Sequence, residues 1–134
     1  MDELTHSPAE TKALGKVVAA ELQGGEVLEL IGDLGSGKTT FVQGLAEGLG
    51  IKKRVLSPTF LIRRGYTGNL NLEHFDFYRL NSPSDLTGLD IEEVVGLPKT
   101  VVVMEWPERV GLQTPRARRI YFEYVDEVTR RIKE

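Results

Sequence analysis

Eight residues, Gly32-Asp33-Leu34-Gly35-Ser36-Gly37-Lys38-Thr39, satisfy the phosphate-loop pattern G-x-x-x-x-G-K-[ST] at every specified position. The pattern has meaning only where a strand enters it and a helix leaves it, so it constrains the fold as well as the ligand. Both flanks comply. Val27-Leu28-Glu29-Leu30-Ile31 is a short apolar run after the Gly24-Gly25 breaker, as suits a buried parallel strand. Phe41, Val42, Leu45, Ala46 and Leu49 recur at helical spacing up to Gly50, which predicts a helix capped there. A glycine-rich turn before an ordinary helix is the plainer alternative; the full match and both flanks weigh against it.

In that geometry backbone N–H groups wrap the phosphates of a nucleoside triphosphate, and the positive end of the helix points at the same anion. Lys38 would reach the β and γ phosphates. The Thr39 hydroxyl would be a ligand of Mg2+, a cation that prefers hard oxygen donors. Asp33, Gly35, Ser36, Gly37 and Thr40 complete the candidate nucleotide contacts on the loop.

Composition bounds what can surround this loop. A length of 134 residues predicts one domain, 1–134, and 40% hydrophobic residues suffice for one core. No run approaches a membrane span, and the N-terminus, with Asp2, Glu3 and His6, lacks the basic-then-apolar design of a signal peptide, so a cytoplasmic location is expected. The absence of cysteine removes disulfides and thiolate metal sites, and the presence of two histidines disfavours zinc. A formal net charge of -3 argues against autonomous, high-affinity binding to nucleic acid.

Ser7-Pro8-Ala9-Glu10 carries helix-start chemistry, followed by Leu14, Val17, Val18 and Leu22 as an apolar stripe. Ser57-Pro58-Thr59-Phe60 excludes regular helix and presents hydroxyls, a candidate sensor loop. Residues 60–66 and 70–77 predict two strands joined near Thr67-Gly68-Asn69. Ser82-Pro83-Ser84-Asp85 begins a short helix ended by Gly88, and residues 91–95 suit another. Thr100 to Met104 is a buried strand leading into Glu105-Trp106-Pro107, and residues 118–125 and 128–133 alternate as a closing antiparallel hairpin. Together these predict an α/β fold, a three-layer P-loop NTPase domain with a mixed, partly antiparallel sheet.

Ligands of open α/β sheets sit beyond the C-terminal strand ends, which brings Glu105 towards the phosphates. There it could hold Mg2+ or orient the attacking water; a solvated cap on the strand is the alternative. In His74-Phe75-Asp76-Phe77-Tyr78-Arg79, alternation places His74, Asp76 and Tyr78 on one face. Asp76 could position water and Arg79 offset phosphate charge, or the two could form an ion pair at a strand edge; spacing alone leaves these even. Trp106 could stack on a base or a partner, although a lone Trp at a strand end more often packs in the core. Arg116, Arg118, Arg119, Arg130, Arg131 and Lys133 gather basic charge in the tail, open to nucleic acid, an acidic partner or solvent.

The ordered set of Gly32 to Thr40, Ser57-Pro58-Thr59-Phe60, His74 to Arg79 and Glu105-Trp106 closely resembles the bacterial TsaE (YjeE) ATPases over nearly the whole chain. The resemblance implies a Mg2+-dependent ATPase, weak alone and stimulated by its partner. It would assist a TsaB-TsaD complex in making threonylcarbamoyladenosine in tRNA, meeting tRNA indirectly through that complex, and would reset it between rounds of modification. In that pattern Lys38 and Thr39 match the phosphate and Mg2+ positions. Thr59 matches a switch-like loop, Asp76 a catalytic or metal-water carboxylate, and Glu105 the Mg2+-associated acid. Phe77 stands where the family more often has an aliphatic residue. No Asn-Lys-x-Asp guanine signature is present, and the family uses its N-terminal helix start, here Ser7 to Thr11, for the adenine. A small P-loop kinase, or a binding switch with incidental hydrolysis, are the rival functions; a kinase needs an acceptor-binding insertion, and only about residues 79–98 are free for one.

Overall fold

The apolar run at 27–31 and the β-branched run at 100–105 have almost no polar face to offer solvent, so both become central strands covered on two sides. In chain order the elements are β1 (Asp2–Thr5), α1 (Pro8–Ala19), β2 (Val27–Ile31), α2 (Lys38–Gly48), β3 (Arg63–Tyr66), β4 (Asn71–Asp76), α3 (Ile91–Val94), β5 (Thr100–Glu105), β6 (Arg118–Tyr124) and β7 (Arg130–Lys133). Short 3-10 turns occupy Pro83–Leu86 and Pro107–Val110. This computed structural model describes residues 1–58 and 61–134.

The strands form one seven-stranded sheet in the order β1-β7-β6-β2-β5-β4-β3. Parallel pairing joins β6, β2, β5 and β4, while β1, β7 and β3 pair antiparallel at the two rims. On one face Leu28, Leu30, Leu72, Val101, Val103 and Ile120 pack against α1 and α2 through Val18, Phe41, Val42 and Leu45. On the other, Val27, Phe75, Val102 and Met104 meet Leu80, Ile91, Val94 and Val110. The fold is therefore the expected three-layer α/β arrangement with a mixed sheet.

Two local readings need correction, and one strand was not anticipated. The stripe on α1 differs from the expected one in part: Val18 and Leu22 are buried and Leu14 packs against the core as expected, but Val17 is 60% exposed, and Thr11, Gly15 and Ala19 are buried as well. The cause is a close helix crossing. A Cβ at Gly44 would lie 1.9 Å from the Lys12 carbonyl oxygen and one at Gly15 2.3 Å from that of Phe41, so the glycine face turns to α2. Secondly, residues 2–5 form an edge strand that has no alternating pattern of its own; it exists because β7 offers an open edge, and the Asp2–Arg131 ion pair at 2.7 Å ties the two together. Thirdly, the expected short helix after Ser82 is a single 3-10 turn. It is held by the Asp85 carboxylate, which accepts from the N–H groups of Asn81 at 2.9 Å and Ser82 at 3.2 Å.

Candidate functional site

Parallel pairing aligns the C-terminal ends of β2, β5 and β4, and chemistry-bearing residues collect there. The loop after β2 runs from Gly32 into α2, which begins at Lys38. Gly37 caps that helix at φ 104°, a conformation that strains a residue bearing a Cβ. In the sheet, Asp76 ends β4 level with Glu105 at the end of β5. The exit chain adds Trp106 in the left-handed region at φ 59°, ψ 42°, a strained backbone that aims the indole back over the loop.

These elements enclose a cleft of about 420 Å3. Ser7, Thr11, Gly35, Ser36, Gly37, Lys38, Thr39, Thr40, Asp76 and Glu105 all line it. Asp33 lies on the exposed outer side of the loop, where its carbonyl accepts from the Ser36 N–H at 3.2 Å. Thr59 and Phe60 fall outside the described residues, but Ser57 of the same segment reaches the cleft. Arg79 is exposed and does not line it.

The charges are held in defined positions. The Lys38 ammonium donates to the Gly32 carbonyl and lies 4.1 Å from the Trp106 ring centroid. Burial lowers its pKa below the ordinary 10.5, against the opposing pull of Glu105, Asp76, Glu108 and Asp33. Asp76 is buried, with Oδ1 accepting the Tyr78 N–H at 3.0 Å. Glu105 is buried too, and its Oε2 lies 2.6 Å from His74 Nε2.

Ser7 is the N-cap of α1, its Oγ accepting the Glu10 N–H at 3.1 Å. Thr11, expected with Ser7 at the adenine, is buried in the cleft wall and shares a 2.7 Å hydrogen bond with Thr5. Trp106 packs on the second core and lines the cleft, with the Tyr78 ring 5.1 Å away, so it is not core packing alone.

The far wall has no counterpart in the sequence reading. Glu127 and Val128, in the turn between β6 and β7, and Arg130 at the start of β7 line the cleft. Arg130 Nε donates to the Gly35 carbonyl at 3.0 Å across a separation of 95 residues, a contact no local pattern could announce. Most of the other tail cations are engaged within the chain: Arg118 with Glu134 and Glu21, Arg119 with Glu29, Arg131 with Asp2, Lys133 with Glu123.

Phosphate and a divalent cation fit these donors. Ser36 Oγ is buried without a hydrogen-bond partner among the described residues, and Ser36 lines the cleft. The acids at Asp76 and Glu105 would repel a triphosphate unless a cation lay between. No cluster of three His, Cys, Asp or Glu side chains is placed to hold a metal among the described residues. One hydroxyl, one carboxylate and phosphate oxygens are the kind of set Mg2+ uses, since it keeps several waters.

A protein-family profile described as threonylcarbamoyl adenosine biosynthesis protein TsaE matches residues 5–132. The chain is 48% identical over 115 residues to the tRNA threonylcarbamoyladenosine biosynthesis protein TsaE of Bacillus subtilis (strain 168), spanning 85% of this chain and 71% of that one. It is 43% identical over 112 residues to the protein of the same description from Treponema pallidum (strain Nichols), spanning 84% and 82%. The crystal structure of Bacillus subtilis YdiB superposes with a TM-score of 0.81 at 37% identity, over 98% of this chain and 82% of that one. With the profile spanning the phosphate loop, both acids and the tail hairpin, the chain belongs to the TsaE family of threonylcarbamoyl adenosine biosynthesis proteins.

Proposed function

We propose that residues 1–134 act as a Mg2+-dependent P-loop ATPase of the cytoplasm. It would serve threonylcarbamoyladenosine formation in tRNA and reset a TsaB-TsaD complex between turnovers by hydrolysing ATP. The observation that carries this reading is the convergence of Lys38, Asp76 and Glu105 with the phosphate loop on one cleft.

The loop N–H groups and the start of α2 bind the β and γ phosphates, and Lys38 exchanges the Gly32 carbonyl for phosphate oxygens. Ser7 and Thr11, which line the same cleft, would contact the adenine. Thr39 and Glu105 would hold Mg2+, which when bound offsets the charge of the phosphates. Asp76 accepts a hydrogen bond from the attacking water and directs its lone pair at the γ phosphorus. As that bond forms, the bond to the β–γ bridging oxygen breaks, releasing ADP and a phosphate that keeps both of the water's protons.

The family assignment supports the place in tRNA modification, and the buried acids beside a lysine support hydrolysis over binding alone. Measuring ATP hydrolysis with and without the TsaB-TsaD pair, for the wild type and Glu105→Ala, tests the reading. Stimulation that disappears in the variant is the expected result. No stimulation with intact nucleotide binding would overturn it.

A further inference from the structure

Glu105 is not held by its own strand alone. His74 sits two residues before Asp76 on β4, and the parallel register sets it level with Val103, so its ring leans along the sheet towards Glu105. The contact between His74 Nε2 and Glu105 Oε2 is 2.6 Å, and the two side chains are 0% and 4% exposed. Around them the same face carries Leu72, Val101 and Val103, which are core residues. An aliphatic side chain would fill the His74 position at no polar cost, whereas a buried imidazole must find a partner. Its Nδ1 has none among the described residues, so the one polar contact that accounts for the ring is Glu105.

The consequence lies across the cleft. Glu105 contributes to the electrostatic environment of Lys38, yet Lys38 is engaged by the Gly32 carbonyl and the Trp106 ring, and Glu105 by His74. A direct Lys38–Glu105 ion pair would neutralise the cation meant for phosphate and the acid meant for metal or water. Holding the carboxylate back on the sheet keeps both groups oriented and ready.

We propose that His74 is the positioning residue of this site: donating from Nε2 to Oε2, it fixes the Glu105 carboxylate and leaves Oε1 for the cleft. Partners that orient a ligating or catalytic carboxylate typically matter by roughly 10- to 100-fold in metal affinity or activity. This inference rests on the reading of Glu105 as an acid of the hydrolytic centre.

Gln and Leu at position 74 separate orientation from packing, because Gln can place an amide N–H near the Nε2 position and Leu cannot. Partner-stimulated hydrolysis and calorimetric ATP affinity, each with and without Mg2+, are measured for His74→Gln, His74→Leu and Glu105→Ala, with thermal unfolding as the control for folding. The expected result for His74→Leu is turnover lowered roughly 10- to 100-fold and a smaller gain in ATP affinity from Mg2+, with affinity for ATP without the metal unchanged. His74→Gln should keep most of both. In the unsubstituted protein, nitrogen-15 NMR should show a slowly exchanging imidazole Nε2–H that is lost in Glu105→Ala, a result independent of whether the Leu variant folds.

Full turnover in His74→Leu beside an inactive Glu105→Ala would overturn the proposal alone. So would equal losses in folded Gln and Leu variants, or an imidazole proton unaffected by Glu105→Ala. Full turnover in Glu105→Ala would overturn the reading of Glu105 and the proposal with it.

Discussion

The Lys38 ammonium stands 4.1 Å from the centroid of the Trp106 ring, between the phosphate loop and the exit of β5. Trp106 is the only tryptophan in the chain. Nucleotide that draws Lys38 from the indole face must therefore change the intrinsic fluorescence. Titration with ATP is expected to give a saturable change that Trp106→Phe abolishes while calorimetric binding persists. A flat titration at concentrations where calorimetry shows binding would count against this placement of Lys38.

Lys38 itself combines a functional gain with a structural cost. Its lowered pKa means that burial outweighs the neighbouring carboxylates, so removing the charge relieves desolvation. Lys38→Met should lose ATP hydrolysis by about 100-fold or more, while its melting temperature is no lower than that of the wild type. A large fall in melting temperature would show that the ammonium stabilises the fold instead.

The two acids should act on turnover more than on binding. Groups aimed at the γ phosphate interact most strongly when charge redistributes in the transition state. Asp76→Ala and Glu105→Ala are expected to reduce partner-stimulated hydrolysis by about 100-fold or more while ATP affinity remains measurable. Unchanged turnover in both would remove their assigned roles.

Arg130 links the tail hairpin to the loop through the Gly35 carbonyl, and its guanidinium lies 4.4 Å from the Tyr124 ring centroid. Arg130→Ala should loosen the loop and weaken ATP binding by about 1 kcal/mol, roughly fivefold in Kd, with overall stability little changed. An unaltered Kd would mean the loop holds its shape without the hairpin.

Acid should loosen the ion pair that closes the tail hairpin on itself. Hydrogen bonds from Arg118 hold the Glu134 carboxyl below its ordinary 4.5. A depressed carboxylate contributes stability above its unfolded value and loses it as pH falls through the folded one. Glu134→Gln should therefore cost up to about 1 kcal/mol at neutral pH, and the deficit should begin to shrink as pH falls below 4.5 and vanish only beneath the lower folded-state value. Urea unfolding of both proteins across that range measures it; a deficit independent of pH would rule out the ionic contribution.

What could be read from sequence was whatever short-range chemistry specifies. The glycines and Lys38 of the phosphate loop, the apolar run before it and the β-branched run of β5 each carry their meaning within a few residues. Ser7 and Pro8 likewise announce the start of α1 locally, as Ser82 and Pro83 announce a helical start but not its stop after one 3-10 turn. Alternation along β4 was enough to set His74 and Asp76 on one face, but not to say what that face meets.

Tertiary structure decided the rest, because the remaining contacts join segments that no local pattern relates. Thr11 is buried and Val17 exposed because α1 crosses α2 on its glycine face, a fact set by both helices together. Residues 2–5 become a strand only because β7 presents an edge. The register of β4 against β5 gives Glu105 its histidine, and the order β7-β6-β2 carries Arg130 to the phosphate loop. Local propensity proposed the strands, loop and helices; strand order and register, set by burying both faces of one sheet, assembled them into a site.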